Sequence, residues 1–405
     1  MTKLLNFTVG NFRSFGEKRT FTFLTDKRAG RAGKGTFKAG PYRLSVISAC
    51  YGANSGGKSN LVDAMALMKD IIVNNSKLSS VDKIKHMPFA LDEKSINEPQ
   101  TFELTFYNDE LGTVRYGFSN TAEKIVKEWL FIKKDGKGNK ERPYFLRSPE
   151  RIAVDADLLP DVDTIIERTN PNRLFLIALD ANNIALAQSI FKAIHTDINI
   201  ISGLDNEGYG LLTAQTILVQ HPIGSQAKEF FQDLDLGFDD VIVRKEQEAD
   251  NRLSVYSVHS IFDESGFKKD TKPFPFEAFE SAGTKKIFEL AAPILDTLNR
   301  GAVLVVDELD AKLHPYLTRE IVYRFIKEET NSNHAQLFFT THLPTLLSSK
   351  LLRADQMWFV EKDRLMRSDL YRATDMVLPD GEALPPVRDP ESFFLAGRYG
   401  GVPNI

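Results

Sequence analysis

Residues 52–59 read G-A-N-S-G-G-K-S, and this stretch limits the fold more than any other. Its spacing, G-x-x-x-x-G-K-[ST], works between a strand and a helix. The flanks supply both. Leu44, Val46, Ile47 and Ala49 form the apolar run of a strand, and Leu61, Ala64, Met65 and Met68 give a helix over about 59–74 its buried stripe. Gly52, Gly56 and Gly57 let backbone N–H groups close around phosphate oxygens at a helix N-terminus, whose dipole favours negative charge. Asn54, Ser55 and Asn60 complete the loop and the start of the helix. Lys58 adds a point charge for β- and γ-phosphates, and the Ser59 hydroxyl is a ligand for Mg2+. A chance glycine turn is the bland alternative. The complete motif in its proper context points to nucleotide binding.

A second half-site follows late in the chain. Residues 301–310, G-A-V-L-V-V-D-E-L-D, read as a short buried strand that ends in two carboxylates, the Walker B pattern. Asp307 at the strand tip meets Mg2+, directly or through water, and Glu308 polarises the attacking water. Residues 336–342, Q-L-F-F-T-T-H, form another buried strand, with His342 at the edge where ligands of open α/β sheets bind. A strand-end histidine is commonly structural. This one follows the two acids by one helix-plus-strand unit, which favours a γ-phosphate contact. Just before the acids, Ser281 can cap a helix over 284–299, and Gly283 exposes backbone N–H groups at its start.

Between these halves the pattern is mixed. Residues 3–24 read as two strands around a turn, and 26–41 as a basic loop with Lys27, Arg28, Arg31, Lys34 and Lys38, either solvated or able to touch a nucleotide or a nucleic-acid backbone. Residues 101–107, 114–119 and 125–132 alternate with period two, so an antiparallel meander is expected beside the phosphate-loop strand. Residues 133–160 read as loop. Short helices are expected over 161–169, 172–181, 183–195 and 228–235, and a hairpin over 241–245 and 253–260. The expected fold is an α/β, two-lobed head with an antiparallel meander, a central mixed or parallel sheet and a helical insertion. Its divisions are 1–130, a helical or mixed insertion over 131–272, 273–370, and a tail over 371–405.

At 405 residues the chain exceeds one ordinary hydrophobic core. A net charge of −4 gives no global reason to expect nucleic acid, which leaves a local basic face as an open question. The single cysteine, Cys50, excludes an intrachain disulfide and a cysteine-rich zinc site, and reads as a small buried residue. There is no apolar run of the roughly 18 residues that span a bilayer, and no signal-peptide pattern, so a cytoplasmic protein without membrane contact is expected.

The loop, with Asn54, Asn60 and Asp63 in place, resembles that of SMC and RecF proteins. Residues 280–286 (E-S-A-G-T-K-K), 306–315 (V-D-E-L-D-A-K-L-H-P) and 340–344 (T-T-H-L-P) resemble the signature, Walker B/D-loop and H-loop of the OLD-like and RloA/abortive-infection ATPases. Residues 11–15 (N-F-R-S-F) and 397–403 (G-R-Y-G-G-V-P) are similar to that group too. The likeness covers roughly 1–75 and 275–405. In two respects the chain departs from it. No heptad run marks a long coiled-coil arm, and only 63 residues follow His342, too few for the Toprim nuclease domain of OLD proteins, with Asp380 and Glu382 simpler as turn residues. Gln100 is a weak candidate for the Q-loop.

The resemblance implies ATP hydrolysis with Mg2+ by a homodimer or a higher homo-oligomer. Lys58, Ser59 and Asp307 would bind in cis, Ser281 and Gly283 in trans, while His342 and Asp310 would link the two sites. Arg13 has two readings, a reach to the nucleotide or a surface ion pair. The implied role is an ATPase subunit of an anti-phage (abortive infection) system that gates a separate effector, often a nuclease in that group. The alternative is a RecF/SMC-like DNA-repair ATPase that clamps DNA.

Overall fold

The computed structural model describes residues 1–29, 35–136, 138–202, 207–246, 253–348, 351–377 and 387–400. Arg31 and Lys34 of the expected basic loop, Asp380, Glu382 and positions 401–403 lie outside the described residues.

Short, buried, mostly apolar strands form the middle of the central sheet, as strands covered on both faces must. Its order is Ile198–Ser202, Val303–Asp307, Gln336–Thr340, Ile47–Gly52, Met357–Lys362 and Ser368–Arg372. All neighbours are parallel except the last pair. Alternate side chains feed two cores. Cys50, Val303, Val305, Phe338 and Val360 pack with Leu61, Ala64 and Met65 of the helix Lys58–Asn74. On the other face, Ile47, Ala49, Val306, Leu337 and Phe339 pack with Ile287, Leu290 and Ile294 of the helix Ala282–Arg300.

A second sheet is antiparallel throughout, in the order Ile152–Val154, Arg142–Arg147, Ile125–Lys133, Gly112–Asn120, Gln100–Asn108, Thr2–Gly10 and Arg19–Thr22. Its Phe7, Val9, Phe102 and Phe118 share the core of the helix Lys58–Asn74. The expected meander is present, but it pairs with the N-terminal strand, in a different sheet from the phosphate-loop strand. Residues 133–160 are not simply loop, because they add two strands. Pro143 hides the first of these, and it is tolerated where the pairing slips between Leu130 and Phe131.

The phosphate-loop strand begins at Ile47, later than the apolar run at Leu44 suggests. Tyr42–Ser45 pairs instead with Thr36–Ala39, so part of the expected basic loop is a hairpin strand. Residues 131–272 contribute to both large sheets through Arg142–Arg147 and Ile198–Ser202. They also form the helices Glu207–Leu218 and Pro222–Asp233 and the sheet Asp240–Lys245, Leu253–Phe262, Lys268–Pro275. Phe230, Phe231 and Val241 join these elements to Phe288 of the helix Ala282–Arg300 in one core. Among the described residues no helix is long and apolar enough to cross a membrane.

Candidate nucleotide site

The strand stops at Gly52 and the helix starts at Lys58, so the glycine-rich turn lies at the C-terminal edge of the central sheet. Ser55 and Gly57 take positive φ, 63° and 123°. The glycines are demanded from behind as well as in front. A Cβ on Gly52 would lie 2.4 Å from the Val360 carbonyl oxygen, one on Gly56 3.0 Å from the same oxygen, and one on Gly57 2.2 Å from Ser368 Oγ. Asn54, Ser55, Gly56, Gly57, Lys58, Ser59 and Asn60 line a cavity of about 390 Å³ together with Glu308 and His342. Residues far apart in the sequence thus meet at one opening.

Lys58 is only 5% exposed. Its Nζ donates to the carbonyls of Gly52 at 2.8 Å and Ala53 at 3.2 Å. Burial pushes its pKa down, while Cys50, Glu308, Asp307 and Asp310 push it back up. Glycine backbone that a Cβ would obstruct, a buried ammonium at its mouth and a half-buried serine hydroxyl beside it suit a polyphosphate. Ser59 and the Asp307 carboxylate are oxygen donors of the kind Mg2+ takes, so the residues present fit that ion.

Thr340 organises the acidic edge. Its Oγ1 donates to Asp307 Oδ1 at 2.6 Å and accepts from the Glu308 N–H at 2.7 Å. Its carbonyl accepts from the Leu309 N–H at 3.1 Å. The chain therefore turns sharply after the strand, with Glu308 at φ 52°, and this places the second carboxylate in the cavity lining. Asp310 accepts from the His342 backbone N–H, its nearer oxygen at 3.2 Å, which ties the two strand ends together. The His342 side chain is exposed at the cavity.

Asp307, Ser281, Gly283 and Arg13 are not among the residues of that lining. Ser281 Oγ caps the helix Ala282–Arg300, accepting from Thr284 N–H at 3.2 Å. Gly283 sits beside the loop after Glu308, where an added Cβ would lie 3.1 Å from the Lys312 carbonyl oxygen. Its neighbour Glu280 meets His259 Nε2 at 2.9 Å, a contact between the three-stranded sheet and this helix start. Arg13 pairs with Asp63, and its Nη1 also reaches Asn60 Oδ1 at 3.4 Å. Burial raises the Asp63 pKa, and Arg13 opposes that shift. Gln100 is wholly buried and serves structure: its Oε1 accepts from Met87 N–H, and its Nε2 donates to the Lys85 carbonyl.

Sequence reasoning missed Thr340 as an organiser, together with Ser14, Val360 and Ser368. Ser14 lies inside the N-F-R-S-F stretch, so a signal existed. Ser368 has none, because only strand pairing carries it to the loop.

The chain matches, over residues 47–348, the family described as "AAA domain, putative AbiEii toxin, Type IV TA system". No curated protein matches it. Among solved structures it is similar to the SMC head domain from Thermotoga maritima, at 16% identity and a TM-score of 0.43, covering 91% of this chain and 98% of that one. It is also similar to the recombination mediator protein RecF with ATP, at 14% identity and a TM-score of 0.39, again covering 91% and 98%.

Proposed function

The chain belongs to this AAA-domain P-loop ATPase family, and from that premise we propose that it binds and hydrolyses ATP at the cavity lined by residues 53–60, Glu308 and His342. That convergence on one opening is the observation that carries the reading. Lys58 exchanges its loop carbonyls for β- and γ-phosphate oxygens, and the loop N–H groups hold the same oxygens. Ser59 and Asp307 hold Mg2+, which when bound offsets the charge of the phosphates. Glu308 accepts a hydrogen bond from the water that attacks the γ-phosphorus. The bond to the β–γ bridging oxygen breaks, and ADP leaves with the electron pair. His342 contacts the γ-phosphate.

Ser281 and Gly283, on a different face, cap the nucleotide of a second copy. Two chains then close over two ATP molecules, and hydrolysis removes the cross-bridge and reopens them. Residues 1–130 and 273–370 form the two lobes of this head, and 371–405 its tail. The insertion 131–272 receives partners, and the His259–Glu280 contact offers them a route to the signature. In the cell the reading is a cytoplasmic subunit of an anti-phage, abortive-infection system that gates a separately encoded effector, a nuclease. The likeness of residues 280–286, 306–315 and 340–344 to the motifs of abortive-infection ATPases is what motivates it.

The test is the mass of wild type, Glu308→Gln and Lys58→Ala with and without Mg-ATP, alone and co-expressed with genomic neighbours. Glu308→Gln should double its mass with ATP and hydrolyse at least about a hundredfold more slowly than wild type. Lys58→Ala should stay single. A mass that ignores ATP in all three sinks the dimer gate. Salt-sensitive DNA binding by the chain alone, with no co-purifying effector, would favour the DNA-clamp alternative.

A further inference from the structure

The peptide that joins Gly56 to Gly57 is fixed from behind the phosphate loop. Ser368 Oγ lies 2.6 Å from the Gly56 carbonyl oxygen and 2.7 Å from Ser14 Oγ. Asn60 Nδ2 donates to Ser14 Oγ at 2.6 Å, and the Ser368 N–H donates to the Ser14 carbonyl at 2.7 Å. A hydroxyl has one proton. Ser368 is the donor in both of its side-chain contacts, so its proton serves either Gly56 or Ser14, while Asn60 donates to Ser14. Both serines are buried, so water competes little for these bonds. Arg13, 3.4 Å from Asn60 Oδ1, sets which way the amide faces.

In a planar trans peptide the N–H points opposite to the C=O. Anchoring the Gly56 oxygen to Ser368, which is outside the cavity lining, turns the Gly57 N–H the other way, toward the side where Gly57 lines the cavity. Two glycines in succession offer no Cβ to resist a flip of this peptide. Flipped, it would present an oxygen lone pair where an anion must bind.

We propose that Ser368 is a positioning residue for nucleotide binding, holding the Gly56–Gly57 peptide with its N–H toward the phosphates. The inference rests on the ATP site proposed above. It adds a residue outside the 47–348 segment that matches the family.

The experiment measures ATP and ADP affinity, KM, kcat and thermal midpoint for wild type, Ser368→Ala, Ser14→Ala and the double variant. Ser368→Ala should weaken ATP and ADP alike by about fivefold, the effect of one hydrogen bond. KM should rise while kcat stays within about twofold. Ser14→Ala should not weaken binding, because it removes only the competing acceptor for the Ser368 proton, and the double variant should match Ser368→Ala. Unchanged affinity in Ser368→Ala, a fall in kcat at constant KM, or additive losses in the double variant would overturn the proposal. If Ser368→Ala does not fold, Ser368→Cys, whose thiol is a weak donor, decides: weakening of about two- to threefold is expected, and wild-type affinity refutes the proposal. A wild type that binds no nucleotide overturns the ATP site itself, a result distinct from wild-type binding matched by the serine variants.

Discussion

Thr340 shows how one hydroxyl can set two acids, since it donates to Asp307 and accepts from the Glu308 N–H. Valine at this position keeps the shape and removes both bonds. Thr340→Val should lower kcat about ten- to hundredfold, as lost outer-shell partners of metal sites do, while ATP affinity without Mg2+ stays near wild type. Equal kcat in the two proteins would show that Thr340 does not organise the acids. A second residue-scale effect concerns acid stability. The Arg28 guanidinium holds Asp26 down to about 2, well below an ordinary aspartate. A depressed carboxylate contributes stability that is present above its unfolded pKa, about 3.9, and is lost as pH falls through the folded value. Asp26→Asn should therefore melt below wild type at pH of about 5, and the gap should close as pH falls toward about 2. A gap that persists at the acid end would assign the effect to packing.

At the scale of elements, the helix Ala282–Arg300 joins the proposed signature residues, Ser281 and Gly283, to the central sheet, and both of its ends are specified. Ser281 caps the start, and Gly301 at φ 62° closes the end, its N–H bonding back to Leu298. Lys3 Nζ donates to the Gly301 carbonyl at 2.6 Å, so the N-terminal strand is tied to the same turn. A Cβ on Gly301 would lie 2.4 Å from the Asn333 carbonyl oxygen. Gly301→Ala should thus cost more than the ~1 kcal/mol usual for Ala at a left-handed position. Chemical denaturation measures this directly. A loss within about 0.5 kcal/mol of zero would mean that the turn shifts freely.

For the whole molecule, the proposal that Ser281 and Gly283 act on a second copy predicts complementation between chains. Lys58→Ala lacks the loop cation and Ser281→Arg blocks the signature, so neither should hydrolyse ATP alone. In a mixed dimer, the intact loop of one chain faces the intact signature of the other. Mixing the two variants should restore turnover, and a mixture as inactive as its components would refute the trans arrangement.

Much of the site is legible in the sequence because its chemistry is local. A phosphate loop needs glycines, a lysine and a hydroxyl in consecutive positions, and Asp307 and Glu308 are adjacent at the end of a visibly apolar strand. Periodicity also exposes the meander, since half-buried antiparallel strands alternate. The sheet to which the meander belongs is not local information. Strand pairing depends on which apolar faces meet, and here the N-terminal strand takes the meander while Met357–Lys362 takes the free side of the phosphate-loop strand. The short strands Ile198–Ser202 and Ser368–Arg372 carry no strong pattern and are strands because the sheet offers them bonding edges. By itself, the sequence determined the loop of glycines, lysine and serine and the adjacent pair of acids proposed for the site, because covalent neighbours fix those. Only the tertiary structure decided that Thr340 and Ser368 bond to them, because hydrogen-bond partners from 32 to 312 residues apart are chosen by packing.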